Sequence, residues 1–224
     1  MIFRPRFWLP GLAALVFSAA QARAAVPPPA YDPPDAASTE TAILSGGCFW
    51  GMQGVYEHVR GVRKVYAGYT GGPAAAANYE SVSTGATGHA ESVQIMFDPR
   101  VISYGRILQI YFAVAADPTE LNEQGPDVGT QYRGEIWYET PAQHQIAIAY
   151  IAQLSAAHNF AAPIVTRVDP AMPFYQAEAY HQDFLENHPD YPYIVINDLP
   201  KLQALRALFP ADYQAQPVRA LPAP

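Results

Sequence analysis

The sequence predicts an α+β fold of the ferredoxin-like, split βαβ kind: a two-layer domain with a mixed, mainly antiparallel sheet, helices packed on it and irregular C-terminal segments. Two observations carry this. Residues 91–97 alternate between apolar and polar with period two, whereas residues 48–58 and 103–114 repeat their apolar positions at helical spacing. The central elements follow in the order strand, helix, strand, strand, helix, strand, which is the split βαβ pattern. Composition agrees, because 50% apolar and 15% charged residues describe a chain that buries a core.

Taken in order, residues 41–44 form a short apolar run that stops at Ser45-Gly46-Gly47, a strand feeding a tight turn. Phe49, Met52, Val55 and Tyr56 then mark a helix over residues 48–58, and residues 62–69 return as a strand. In residues 91–97, Val93, Ile95 and Phe97 share one face, so this strand has one better-buried side. Ser103 is placed to cap a helix through Ile107, Ile110, Tyr111 and Val114. Residues 134–138 follow as a strand, and Thr140-Pro141-Ala142-Gln143 has the spacing of a capping box with proline at the first helical position, opening a helix to about residue 157. Residues 163–168 read as an edge strand, and residues 178–187 and 199–208 as peripheral helices. The connections over residues 70–88 and 115–132 exceed the ~12–15 residues of an ordinary loop, which marks them as functional.

The ends are read differently. In residues 1–24, Arg4 and Arg6 precede a mostly apolar stretch over residues 7–20 and the small-x-small site Ala22-Arg23-Ala24, an export signal too short to span a membrane. Residues 25–39 are proline-rich and expected as an extended tether outside the core. Residues 40–209 form the catalytic domain, and residues 210–224 a second proline-rich tail. The net charge is −7, and −10 once Arg4, Arg6 and Arg23 leave with the leader, which excludes a nucleic-acid binder because phosphate neutralisation needs clustered cations. One cysteine excludes a disulfide scaffold and a cysteine-rich zinc site.

That cysteine lies in Gly46-Gly47-Cys48-Phe49-Trp50-Gly51, where a strand gives way to a helix. Unpaired N–H groups and the helix dipole there favour a thiolate nucleophile, and the glycines admit a close approach to the backbone. The plain alternative is a small buried residue that only packs. Phe49 and Trp50, adjacent on a helix, do not share a face; beside a nucleophile they suit the walls of a small apolar pocket, though both are also ordinary core residues. Glu91 shares parity with the apolar face of its strand, so its carboxyl is desolvated and its pKa raised, as a proton donor near neutral pH requires, unless the side chain turns out to water. Asp127 and Tyr132 in the second long loop and Tyr79 in the first present a carboxylate and two phenols. His181 reads as a hydrogen-bonded structural residue, and no metal-ligand spacing exists.

Together these residues carry a resemblance. Gly46-Gly47-Cys48-Phe49-Trp50-Gly51, Thr87-Gly88-His89-Ala90-Glu91, Gln124-Gly125-Pro126-Asp127-Val128-Gly129-Thr130-Gln131-Tyr132-Arg133 and Ala177-Glu178-Ala179-Tyr180-His181-Gln182 resemble the peptide methionine sulfoxide reductase A family over most of residues 43–199. The resemblance implies reduction of free and protein-bound methionine (S)-sulfoxide. Cys48 would be the nucleophile that becomes a sulfenic acid, and Glu91 the acid that protonates the sulfoxide oxygen. Tyr79 and Tyr132 would be phenols on that oxygen, Phe49 and Trp50 the S-methyl pocket, and Asp127 a support for the substrate backbone. It implies no metal and no cofactor beyond an external thiol reductant, such as a thioredoxin-like protein.

This chain departs from the family pattern at three places. It lacks the additional C-terminal cysteines, so an outside thiol must regenerate Cys48 directly. Gly134 stands where serine is usual, and Ala116 where histidine often precedes Asp-Pro-Thr. A cysteine hydrolase or acyltransferase would need a base beside the thiol, where the sequence offers an acid. A noncatalytic module that recognises thioethers would not need an intact nucleophile and acid. The leader implies an exported protein, periplasmic in a bacterium.

Overall fold

The computed structural model describes residues 26–222; the leader over residues 1–24 lies outside the described residues. The sheet is built from β1 (Glu40–Ser45), β2 (Val62–Thr70), β3 (Ala90–Phe97), β4 (Glu135–Tyr138), β5 (Arg167–Pro170) and β6 (Tyr175–Gln176), in the order β5-β4-β1-β3-β2-β6. All pairings are antiparallel except β4 with β5. The central order β4-β1-β3-β2 is the split βαβ arrangement the sequence predicts.

Alternation in β3 settles which face meets the helices. Val93, Ile95 and Phe97 are fully buried, and they join Leu44, Val65 and Ala67 in the main core. The opposite face carries a smaller cluster of Ile43, Ala90 and Trp137, with Phe174 packed against it. Four longer helices complete the domain: α1 (Phe49–Glu57), α2 (Tyr104–Ile110), α3 (Pro141–Ala156) and α4 (Leu199–Leu208). Both anticipated caps form: Ser103 Oγ accepts from the Arg106 N–H at 3.1 Å, and Thr140 Oγ1 from the Gln143 N–H at 3.2 Å. After α2 the chain continues as a π-helical turn over Tyr111–Ala115, whose Tyr111 hydroxyl donates to the Ser45 carbonyl at 2.7 Å. This fixes the end of β1 just ahead of the Gly46-Gly47 turn.

Four expectations need correction. The edge strand lies at Arg167–Pro170 rather than residues 163–168, because its register is set by parallel pairing to β4. The helix expected over residues 178–187 is two short pieces, Ala179–His181 and Phe184–Asn187, separated by Asp183 in the left-handed region (φ 55°). Residues 26–39 are not a tether outside the core. Val26 is buried, its carbonyl accepts from Gln109, the Pro27 and Pro28 carbonyls accept from Tyr150 and Gln153, and Asp32 accepts from the Ser103 hydroxyl and the Gly105 N–H. An extended proline-rich segment leaves its carbonyls free, and here side chains of α2 and α3 bind them. The described part of the C-terminal tail is docked for the same reason. Lys64 donates to the carbonyls of Arg219 and Ala220, and Asp183 accepts from the amides of Ala220 and Leu221.

Candidate active site

The first long connection and the second meet over the C-terminal end of β1. A Cβ on Gly46 would lie 2.7 Å from Ala116 Cβ, and one on Gly47 (φ 89°) 2.6 Å from Gln124 Cβ. The glycines therefore admit the protein's own second loop rather than only a ligand, and Gly47 also supplies a conformation that a side chain rarely adopts. Cys48 follows as the N-cap of α1 and is buried, at 9% exposure. It borders a cleft of about 230 Å³ formed with residues of the second loop, including Asp127, and with Tyr193, Asn197 and Lys201.

Glu91 is placed by two elements. It sits on the helix-facing side of β3 at 3% exposure, and its Oε2 accepts the backbone N–H of Phe49, the first residue of α1, at 3.0 Å. Burial pushes its carboxyl up to about 8, against the lowering effect of that N–H and with a further push from Asp127. The group is a carboxylic acid at neutral pH, as the strand parity anticipates.

The thiolate expectation is overturned in the free site. Burial, and then Glu91 and Asp198 once they ionise, hold the Cys48 thiol well above the usual range, against a backbone N–H from Trp50 that favours the anion. The helix terminus is outweighed because the thiol is desolvated and the surrounding side chains are acids.

Phe49 and Trp50 both find use because α1 is covered on more than one side. Phe49 enters the core at 1% exposure, with ring centroids 5.7 Å from Tyr69 and 5.0 Å from His181. Trp50, about 100° around the helix, meets the C-terminal segments instead. It stacks on Phe184 at 3.8 Å, meets Tyr191 and Tyr193 edge-on, and donates from Nε1 to His181 Nδ1 at 3.0 Å. Indole N–H only donates, so Nδ1 is unprotonated and the neutral ring carries its proton on the buried Nε2. Burial keeps the His181 pKa low, consistent with this form.

Tyr79, Tyr132 and Asp127 close the site. Burial first raises both phenols, with further pushes from Glu91, Cys48 and Asp127 once these ionise, and the loops that carry them are tied by Thr130 Oγ1 to the Gly85 carbonyl and Gln131 Nε2 to the Ser83 carbonyl. Asp127 accepts from the Tyr193 hydroxyl; burial raises it, and Tyr193 and Lys201 oppose that. Glu178 holds the first loop, accepting the Tyr79 N–H at 2.9 Å and the Tyr69 hydroxyl at 2.8 Å. Of the other residues singled out from the sequence, Glu91 is joined to the residue after Cys48, Asp127 lines the Cys48 cleft, Phe49 turns into the core and Trp50 toward Phe184, and Tyr79 and Tyr132 lie on the two loops. Glu178, Tyr193, Asp198 and Lys201 were not singled out: Glu178 and Tyr193 lie 66 or more residues from the partners they join in the loops, and Asp198 and Lys201 sit at the start of a helix with no distinctive spacing. Among the described residues no cluster of three or more His, Cys, Asp or Glu is placed to hold a metal.

The family model described as peptide methionine sulfoxide reductase matches residues 40–212, three quarters of the chain. The chain belongs to the peptide methionine sulfoxide reductase family. It is 57% identical over 188 residues to peptide methionine sulfoxide reductase MsrA 2 of Mesorhizobium japonicum, covering 84% of this chain and 96% of that one. It is 49% identical over 181 residues to the protein of the same name from Synechocystis, covering 81% and 85%. Among solved structures it resembles reduced Mxr1 of Saccharomyces cerevisiae, with 29% identity, a TM-score of 0.61 and coverage of 72% and 92%. Methionine sulfoxide reductase A of Corynebacterium diphtheriae aligns with 33% identity, a TM-score of 0.58 and coverage of 68% and 76%. As a member of this reductase family with a single cysteine, the chain performs thiol-based reduction of methionine sulfoxide without an internal resolving cysteine.

Proposed function

We propose that Cys48 attacks the sulfur of a methionine (S)-sulfoxide, free or in a polypeptide, while Glu91 protonates the oxygen. The observation that carries this reading is the Glu91 carboxyl, buried and raised to about 8, hydrogen-bonded to the residue next to the only cysteine. Sulfoxide oxygen leaves sulfur poorly until protonated, so a neutral acid is the group the reaction needs. The attack joins the two sulfurs; passage of the protonated oxygen to the cysteine sulfur then breaks both that S–S bond and the methionine S–O bond, so the cysteine sulfur loses two electrons and the methionine sulfur gains them. The products are methionine and a Cys48 sulfenic acid. The thiol proton balances the proton Glu91 donates, so Glu91 ends as it began. Tyr79 and Tyr132 donate to the oxygen, Phe49 and Trp50 enclose the S-methyl group, and Asp127 supports the substrate backbone.

Regeneration proceeds by an external thiol, on a thioredoxin-like protein or a small molecule. It displaces water from the sulfenic acid to give a mixed disulfide, and a second thiol then releases Cys48. The leader over residues 1–24 directs export, to the periplasm in a bacterium, and cleavage after Ala24 leaves Ala25 as the new terminus, a product that mass spectrometry of the secreted chain identifies.

With excess methionine sulfoxide and no reductant, the protein releases one methionine per chain and a sulfenic-acid reagent labels Cys48. Release far beyond one equivalent without thiol, or undiminished in Cys48→Ser, overturns the reading.

A further inference from the structure

Glu91 and Tyr132 reach the site from different elements, and β1 holds neither. The pairing of β1 with β3 ends at Ser45 opposite Ser92, so the start of β3, Glu91 included, keeps only β2 as a strand neighbour. Tyr132 ends a short 3-10 turn in the second loop. One side chain joins these two pieces. The buried Arg133 guanidinium, 7% exposed, donates from Nη2 to the Gly88 carbonyl at 3.1 Å, and from Nη1 to the His89 carbonyl at 3.3 Å and the Thr130 carbonyl at 2.9 Å. Its Nε donates to Glu135 Oε2 at 2.5 Å, and the fully buried Glu135 thereby compensates the cation.

We propose that Arg133 is a positioning residue of the reduction step: by bridging carbonyls two residues before Glu91 and two before Tyr132, it fixes the distance between the acid and the phenol. The guanidinium suits this because its planar fork reaches several acceptors at fixed angles, which a lysine ammonium does not. The surroundings are shaped for it. A Cβ on Gly71 (φ 97°) would lie 2.9 Å from Nη2, and the Trp137 ring lies 5.6 Å from Cζ, so the fork is walled in place. Among the described residues, two further hydrogen bonds tie the loops, Thr130 Oγ1 to the Gly85 carbonyl and Gln131 Nε2 to the Ser83 carbonyl. They join the second loop to residues 83–85 and leave the segment entering β3 to Arg133.

The inference rests on the roles proposed above for Glu91 and Tyr132. It is tested by single-turnover methionine release from Arg133→Met and Arg133→Lys, each alone and in a background carrying both Glu91→Gln and Tyr132→Phe. A misplaced catalytic group costs about 10²-fold in rate, so we expect a loss of about that size in the single variants, with the sulfoxide concentration at half-maximal rate changed little. In the doubly substituted background the same replacements should cost little, because the groups Arg133 positions are gone. Arg133→Lys, which keeps a cation against Glu135, should be folded and equally slow. Wild-type rates in either single variant overturn the inference, as does an equal loss in the doubly substituted background or loss of the cooperative thermal transition in both variants. A wild-type protein that releases no methionine instead fails the reductase reading itself, so the two failures are distinct.

Discussion

The N–H of Phe49 donates to Glu91 Oε2 at 3.0 Å, so the helix that starts at the nucleophile also orients the acid. Two elements that share no strand pairing are locked by one bond, and the carboxyl keeps its second oxygen for the substrate. The consequence is pH dependence. Methionine release in a single turnover should fall as pH rises through about 8, the value to which burial lifts Glu91. Glu91→Gln should slow release by about 10²-fold or more while sparing sulfoxide binding, and should abolish that limb of the profile. An unchanged rate removes the acid role.

Glu57 makes a prediction about stability rather than rate. It is fully buried, with neither carboxyl oxygen hydrogen-bonded, and burial followed by the neighbouring Asp183 lifts it to about 10. Its folded pKa exceeds its unfolded one, so its contribution is intact below about 4.5 and is lost as pH rises toward about 10. Glu57→Gln should therefore gain on the wild type as pH increases. At about 1.4 kcal/mol per pH unit between the two pKa values, the gain should grow by several kcal/mol between pH 5 and pH 9, read as a Tm difference that widens by about 2–4 °C per kcal/mol.

The docked N-terminal segment has a measurable worth. Asp32 accepts from the Ser103 hydroxyl and the Gly105 N–H, adding a distant carboxylate to the start of α2. Asp32→Ala should cost about 1 kcal/mol, the usual value of a lost cap, and leave single-turnover methionine release unchanged. A tether outside the core would show no change in Tm.

Tyr193 holds Asp127 from across the cleft. Tyr193→Phe should free the carboxylate and raise its pKa, since the hydroxyl is the main group opposing its burial. We expect the sulfoxide concentration at half-maximal rate to rise about tenfold, consistent with loss of a hydrogen bond to a charged group, with a smaller change in maximal rate.

How much of this was legible depended on whether the signal was local. The strand parity of Glu91 and the glycine turn before Cys48 are written within a few residues, and the structure keeps both readings of position. The caps at Ser103 and Thr140 are equally local. The docking of residues 26–39 was not legible, because polyproline composition describes a backbone without internal hydrogen bonds and says nothing of the donors on α2 and α3 that find its carbonyls. Likewise nothing near Trp50 announces Phe184 or His181, which lie more than 130 residues away in sequence.

The sequence by itself determined the class of fold, the single cysteine, and the acid paired with it, since apolar periodicity and residue chemistry are properties of short segments. The tertiary structure decided the protonation states and the joints. Burial, which depends on what folds over a group, turned the thiolate expected at a helix start into a thiol, and kept Glu91 an acid at neutral pH. Contacts between distant segments, not spacing along the chain, gave Arg133 the carbonyls of Gly88 and His89 beside the local one of Thr130.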